Sequence, residues 1–307
     1  MKIERSPWVV TLAGGSGVRL RSLVRRQFGE ERPKQYCSFV GGRSLLQHAL
    51  DRADRLTAWD RQVVVIREEH LEWFRCQAPA FEGRILTEPS DRGTLPALYA
   101  ALALIREIDP VAGLLVQPSD GFYHPERRLL RQLRYAMDIV PLLEDRILLA
   151  GVTPVRPDER RLWIQPGEAL GKFGGNAIRR VEGVLPRPSP PLARRLQALG
   201  AVVETGLMTG SVRTFWKLAQ RDSRYMLKTL SAGGLEATEE GTLRLAGGFS
   251  SVPRRDIEEG ILMRGTRRLA CMRLRGFLWG DWDTEADIER SLRSLDQEHQ
   301  GEPVRAE

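Results

Sequence analysis

The chain has 307 residues, 42% of them hydrophobic, with three cysteines and a formal net charge of +7. The apolar fraction is ample for a sizeable core in one large domain or two. No apolar run is long enough to cross a membrane: the best, Leu95 to Ile105, is cut by Arg106 and Glu107, and no secretory apolar region precedes the first glycine-rich segment. Cys37, Cys76 and Cys271 match no zinc or redox spacing, and so sparse and odd a count suits a reducing cytoplasm. The basic residues are scattered, without interleaved aromatics or a DNA-binding motif. An anionic small substrate, or simple solubility, explains the charge as well as nucleic acid does.

In the first half, strand and helix signals alternate. Trp8 to Thr11 reads as a strand, and Ser44 to Leu56 as an amphipathic helix with Leu45, Leu46, Ala49, Leu50 and Ala53 on one stripe. Gln62 to Arg67 is a buried strand, Glu68 to Cys76 a helix, and Arg84 to Thr87 a short strand. Thr94 to Ile108 is a strong helix, with Thr94 as candidate N-cap and Pro96 in its first turn. Gly113 to Gln117 and Arg146 to Val152 are strands flanking a helix over Glu126 to Val140. Short continuous apolar strands separated by helices imply an α/β fold with a mostly parallel sheet covered on both faces. Beyond Gly151 the pattern loosens. Gly167 to Gly175 is glycine-rich, and the proline-rich Val184 to Pro191 reads as extended chain or loop. Helices are expected over Pro191 to Leu199, Thr214 to Gln220 and Asp256 to Met263, and strands over Ala201 to Glu204 and Leu269 to Arg273. No clean linker divides the chain. One domain over residues 1–297 is expected, with a nucleotide-binding half (1–150), a half that shapes the second substrate's pocket (151–297) and a polar tail (298–307).

Three segments carry candidate chemistry. The first is Leu12-Ala13-Gly14-Gly15-Ser16-Gly17-Val18-Arg19-Leu20, directly after the first strand. Its glycines can adopt positive φ and let a ligand approach backbone N–H groups, which suits nucleotide phosphates, and Arg19 adds a planar fork of donors. A dinucleotide-binding turn would need glycine where Leu20 stands, and no Gly-Lys-Ser/Thr follows. A tight turn that binds nothing has the same local signature. Only five of the 47 basic residues are lysine, which makes Lys34, in Arg32-Pro33-Lys34-Gln35, an informative choice. The second segment is Val116-Gln117-Pro118-Ser119-Asp120. Ligands of open parallel sheets bind at the carboxyl ends of strands, so Asp120 is either a magnesium carboxylate or a turn residue. The third is Leu278-Trp279-Gly280-Asp281-Trp282-Asp283-Thr284. Here Asp281 offers a second metal carboxylate, or the tryptophans pack a core edge while the aspartates face water or cap a helix starting near Thr284.

Taken with Glu88-Pro89, Arg92-Gly93-Thr94-Leu95-Pro96-Ala97 and Gly151-Val152-Thr153-Pro154, these segments resemble the sugar-1-phosphate nucleotidyltransferases, most closely the mannose-1-phosphate guanylyltransferase branch. The resemblance runs from about Trp8 to Leu295 and implies a Rossmann-like, nucleotide-diphospho-sugar transferase fold. It implies a nucleoside triphosphate, GTP by default, and a sugar 1-phosphate, mannose 1-phosphate by default, as partners. No nucleic acid or membrane is expected, and a homo-oligomer is compatible with it. By resemblance, residues Leu12 to Gly17 cradle the nucleotide, Arg19 stabilises the departing pyrophosphate, and Lys34 holds the reacting phosphates. Asp120 and Asp281 bind Mg²⁺, and Glu88, Arg92 and Thr94 lie near the base. Arg187, Glu204 and Thr205 fall where the sugar is expected. The departures concentrate there. Arg160-Arg161-Leu162-Trp163-Ile164 replaces a Gly-Tyr-Gly-Tyr-Ile-like segment, and Pro186-Arg187-Pro188 replaces Glu-Lys-Pro. Glu204 stands near the position of an expected asparagine, and Gly121 replaces histidine. Glu204 would oppose a sugar phosphate unless paired, with Arg187 the nearest expected partner. A changed sugar and a nucleotide-binding homologue without activity both fit this pattern.

Overall fold

The computed structural model describes residues 6–299 apart from positions 144, 174, 233, 240 and 246. β1 (Trp8–Leu12) sends Trp8 and Val10 into one buried cluster and Val9 into another, so both faces of the strand are covered. That double burial is why its sequence is a continuous apolar run rather than an alternation. α1 (Arg21–Phe28) precedes α2 (Leu45–Asp54), which opens with a reciprocal cap. Gln47 N donates to Ser44 Oγ at 3.2 Å, and Ser44 N donates to Gln47 Oε1 at 3.0 Å. β2 (Gln62–Arg67), α3 (Leu71–Gln77), β3 (Arg84–Glu88), α4 (Thr94–Ile108) and β4 (Gly113–Pro118) follow the periodicity closely. Two local details differ. The expected start of α3 is a 3₁₀ turn over Glu68–His70. The N-cap of α4 is Gly93, at φ +81°, and not Thr94, because the carboxylate of Asp256 reaches across the chain to accept from Thr94 N at 3.1 Å.

The chain continues through β5 (Gly121–His124), α5 (Glu126–Asp138), β6 (Ile147–Val152), β7 (Leu162–Phe173), β8 (Asn176–Pro186), α6 (Pro190–Ala198) and β9 (Val202–Ser211). Then come α7 (Val212–Asp222), α8 (Arg224–Ala232), β10 (Leu235–Ala237), β11 (Leu243–Leu245), β12 (Leu269–Leu274), β13 (Leu278–Asp281) and α9 (Glu285–His299). Eleven strands form one sheet in the order β10-β11-β3-β2-β1-β4-β9-β6-β12-β8-β7. The block β11-β3-β2-β1-β4 is parallel, as are β6 and β12. β9 inserts antiparallel between β4 and β6, so strands from both halves of the chain share one sheet. Helices cover both faces, with α4, α7 and α8 packing one cluster and α5 and α6 the other. The α/β architecture with helices on both faces of a large sheet is thus the one the sequence predicts.

Most of the glycine-rich stretch, and the first residues of the proline-rich one read as extended chain or loop, fall in a long hairpin, β7–β8. β7 pairs with β9 at Trp163 and Ile164, but beyond them it is an edge, where proline is tolerated, and the register shifts around Pro166, Ala169 and Gly171 absorb the irregular sequence. The segment expected as a helix over Asp256 to Met263 carries a short π-type turn, Glu258–Leu262. The proposed polar tail lies mostly outside the described residues. Among the described residues, no helix is long and apolar enough to cross a membrane.

One buried cation sits on the stripe of α2. Arg52 is 0% exposed; Nη1 donates to Gln117 Oε1 at 2.9 Å and Nη2 to Glu126 Oε1 at 2.8 Å, with the guanidinium 4.6 Å from the centre of the Tyr123 ring. It joins the end of β4 to the start of α5 and so braces the turn that carries Asp120. Removing one partner of a buried ion pair strands the other. Arg52→Ala should therefore lower the unfolding free energy by about 3–5 kcal/mol, measured by urea denaturation. An unchanged midpoint would show that the brace does not matter.

Candidate active site

The site lies beyond the carboxyl ends of β1, β3 and β4, where the sheet's parallel half opens. Ser119 N donates to Leu12 O at 3.1 Å and Ala13 N to Val65 O at 2.8 Å, tying the exits of β4, β1 and β2 together. Gln35 fixes the glycine loop from below, its Nε2 donating to Ala13 O at 2.9 Å and to Gly15 O at 2.7 Å. Gly17 has φ +62°, and a Cβ there would meet Lys34 N at 2.6 Å. Only glycine allows this approach between loop and lysine.

Lys34 is the centre of the site. It is 7% exposed, and its Nζ lies 2.9 Å from Asp120 Oδ2, 3.4 Å from Asp281 Oδ1 and 3.5 Å from Asp283 Oδ1. It also donates to Trp282 O at 3.2 Å. Burial opposes its charge, but Asp120, Asp281 and Asp283 outweigh burial and hold its pKa above the ordinary lysine value. Asp120 and Asp281 meet because β5 and β13 form a separate two-stranded antiparallel sheet that pairs Gly121 with Asp281. Trp282 anchors that turn. It is 1% exposed, stacks on Phe122 at 4.4 Å and donates from Nε1 to Ser291 Oγ at 2.9 Å. The core-packing alternative thus describes Trp282, while Asp281 and Asp283 face the lysine. The helix expected near Thr284 is α9; Thr284 N donates to Asp287 Oδ2 at 2.9 Å.

Two further cations reach the same carboxylates. Arg19, largely exposed, donates from Nη1 to Asp283 Oδ2 at 2.7 Å. Arg161 bonds the Asp281 carboxylate through Nη1, donates from Nη2 to Asp281 O at 2.7 Å, and lies 5.6 Å from the centre of the Trp279 ring. Three carboxylates thus face three cations. Sequence reasoning placed Arg160 and Arg161 around the sugar. Instead, Arg161 grips Asp281, and Arg160 is held by Asp158 and Asp287. Arg161 and Asp283 carry no recognisable spacing toward Lys34, whereas Gln35 stood in view beside it.

The remaining residues are distributed as follows. Glu88 is 4% exposed, its Oε2 would lie 2.9 Å from a Cβ on Gly14, and its Oε1 has no hydrogen-bond partner among the described residues. Burial, reinforced by Asp91 and opposed by Arg67, pushes its carboxyl up to about 8. The Arg92 and Thr94 turn is tied to a distant segment. Arg92 O accepts from Arg255 N at 3.0 Å, and Thr94 Oγ1 accepts from Ile257 N at 2.9 Å. Glu204 is partly buried; its Oε1 accepts from Gly206 N at 2.7 Å, and desolvation pushes its carboxyl up to about 8 despite that bond, with Glu258 and Asp281 adding to the shift. The expected pairing with Arg187 is not made among the described residues: the Arg187 charge acts on Glu258 instead. Arg187 itself holds φ +45° while its N donates to Arg161 O at 3.1 Å. Thr205 spends its hydroxyl on the sheet, donating to Ala150 O at 2.7 Å.

Residues 8–150, just under half of the chain, match the nucleotidyl transferase family. Among curated relatives, a mannose-1-phosphate guanylyltransferase of Escherichia coli is 28% identical over 187 residues, covering 59% of this chain and 38% of that protein. The alginate biosynthesis protein AlgA of Pseudomonas fluorescens is 33% identical over 159 residues, covering 48% of this chain and 30% of that protein. The matches thus span 38% and 30% of those longer proteins. The fold is shared with a structure described as mannose-1-phosphate geranyltransferase from Thermus thermophilus, with TM-score 0.77, 23% identity, and coverage of 94% of this chain and 79% of that one.

Two expectations follow from this geometry. Lys34→Arg places a bulky fork where a point charge is enclosed at 2.9–3.5 Å by three carboxylates. Its unfolding free energy should drop by about 1–3 kcal/mol; wild-type stability in urea would show the lysine to be interchangeable. For Glu88, the folded state holds the proton more tightly than an unfolded glutamate, which titrates near 4.5, so the stability it contributes is full below about pH 4.5 and is lost as pH rises through about 8. Glu88→Gln should therefore gain stability relative to wild type between about pH 5 and about pH 9. Parallel urea midpoints across that range would show the carboxyl to titrate normally.

Proposed function

We propose that this protein transfers a nucleotidyl group from a nucleoside triphosphate, GTP by preference, to a sugar 1-phosphate, releasing pyrophosphate. The observation that carries this reading is the convergence of Lys34, Asp120 and Asp281 beside a glycine loop at the carboxyl ends of parallel strands. An oxygen of the sugar phosphate attacks the α-phosphorus and the bond to pyrophosphate breaks in line, so the protein's task is to position two anions and neutralise charge. The loop from Leu12 to Gly17 holds the triphosphate through its N–H groups beyond Ala13, whose own N–H is committed to Val65 O. Arg19, exposed and bound only at its tip, is free to follow the leaving pyrophosphate. Lys34 keeps its charge at the junction of the reacting phosphates.

Asp120 and Asp281 suit magnesium. Both aim an oxygen at one cationic point, and the ion typically takes one or two carboxylates together with phosphate oxygens and water. Among the described residues no three such side chains form a complete protein cage for a metal, which fits an ion brought in with the nucleotide. Bound there, it would supply charge neutralisation at the phosphates. Three unpaired cysteines fit a cytoplasmic setting.

On the sugar side, mannose 1-phosphate is the default substrate, but Arg187 and Glu204 make a changed sugar the better expectation. A pocket that hydrogen-bonds particular hydroxyls discriminates strongly once its partners change. A second reading, a nucleotide-binding homologue without turnover, draws support from the grip of Arg161 on Asp281. One experiment separates them: pyrophosphate release from each common nucleoside triphosphate against a panel of sugar 1-phosphates. Turnover is expected, with mannose 1-phosphate below a kcat/KM of about 10⁴ M⁻¹s⁻¹. Asp120→Ala and Asp281→Ala should each cut it by at least roughly 10²-fold in folded protein. No turnover with any pair would favour the binding homologue, and full activity in either variant would remove that carboxylate from the site.

A further inference from the structure

Away from the carboxylate cluster, β8, β12 and the α6–β9 junction enclose a cavity of about 330 Å³. Three guanidiniums line it, from Arg179 on β8, Arg273 on β12 and Arg275 just beyond, against apolar surface from Val202 and Met272. None of the three has a carboxylate partner among the described residues. The contrast along one strand is direct: Arg180, the next residue on β8 and on its opposite face, lies 3.6 Å from Glu168. Two of the three forks are nevertheless held in place. Arg179 Nη1 donates to Gly167 O at 2.7 Å, and Arg273 Nη2 donates to Gly200 O at 2.6 Å. Gln132 pins the backbone of Arg275 from both sides, at 3.0 and 2.9 Å. A guanidinium has five N–H donors, so these anchors leave most of them free. Burial, with the like charges of Arg275 and Arg179, presses the pKa of Arg273 below its ordinary value. Among the described residues no carboxylate pairs with Arg273 to offset this repulsion.

We infer that this cavity is a binding site for a small phosphorylated ligand, separate from the nucleotide site. Pre-positioned guanidiniums bind phosphate oxygens bidentately, the apolar wall accommodates an organic body, and the volume lies at the lower end of the range for small-molecule sites. The cavity also touches the catalytic side through the chain. Arg275 precedes Gly276 and β13, the strand that ends at Asp281. A ligand held by Arg273 and Arg275 would therefore sit just before the strand that ends at Asp281.

The test is calorimetric titration of the full chain with pyrophosphate, first without magnesium. Wild type should bind one equivalent. Arg273→Gln/Arg275→Gln should weaken that binding at least roughly tenfold, and so should the exposed Arg275→Gln alone, which guards against a folding defect in the pair. Arg180→Gln and Arg19→Gln should bind as wild type. Absence of binding by wild type, unchanged binding in the cavity variants, or loss of binding in Arg19→Gln would each overturn the inference. With magnesium present, a second equivalent that disappears in Asp120→Ala would report on the transferase reading alone. Its absence would leave the cavity result standing.

Discussion

A buried ammonium among three carboxylates is the constraint on which the rest of this site depends. Asp120, Asp281 and Asp283 would repel one another if brought together without a counter-charge. Burying Lys34 alone would be costly. Together the four groups are compatible, and Arg19 and Arg161 bring the balance to three charges of each sign. The balance matters for chemistry as well as for folding. On the proposed function, anionic phosphates accompanied by a divalent cation would exchange partners with such a cluster without leaving any one charge stranded.

The cluster is held from several directions by elements with no chemistry of their own. Gly17 lets the loop close on Lys34, Gln35 ties that loop down, and Arg52 braces the turn before Asp120. The β5–β13 ladder then delivers Asp281 from the far end of the chain, and Trp282 locks it by filling a pocket between Phe39 and Phe122. Each device is a packing or hydrogen-bonding solution to one problem, namely placing charged groups from distant segments within about 3–4 Å of each other, as charge-assisted contacts require.

The second-substrate side follows a different logic. Glu204, with Asp281 and Glu258 near it, is pushed toward its neutral form rather than paired. A neutral carboxyl donates a hydrogen bond where an ionised one only accepts. Arg187 bears on Glu258 and shares a backbone contact with Arg161, so the pocket and the carboxylate cluster are mechanically joined.

Much of this was legible in the sequence wherever the signal was local. The doubly buried strands over Trp8 to Leu12 and Gln62 to Arg67 announced themselves as continuous apolar runs, because covering both faces leaves no polar positions. The glycine loop, the rarity of lysine and the position of Asp120 after a strand singled out, for equally local reasons, residues that the fold brings together. Tertiary structure alone decided what depended on distant partners. Thr94 lost its cap role to Asp256, Glu204 did not find Arg187, and Thr205 turned its hydroxyl into the sheet. The loop-like glycines and prolines of residues 166–175 became an irregular edge hairpin because the sheet offered them an edge. Arg161 was assigned to a sugar and found on a carboxylate for the same reason. Periodicity and turn chemistry act over a few residues, whereas a charge takes the partner that the fold brings within reach, from any distance along the chain.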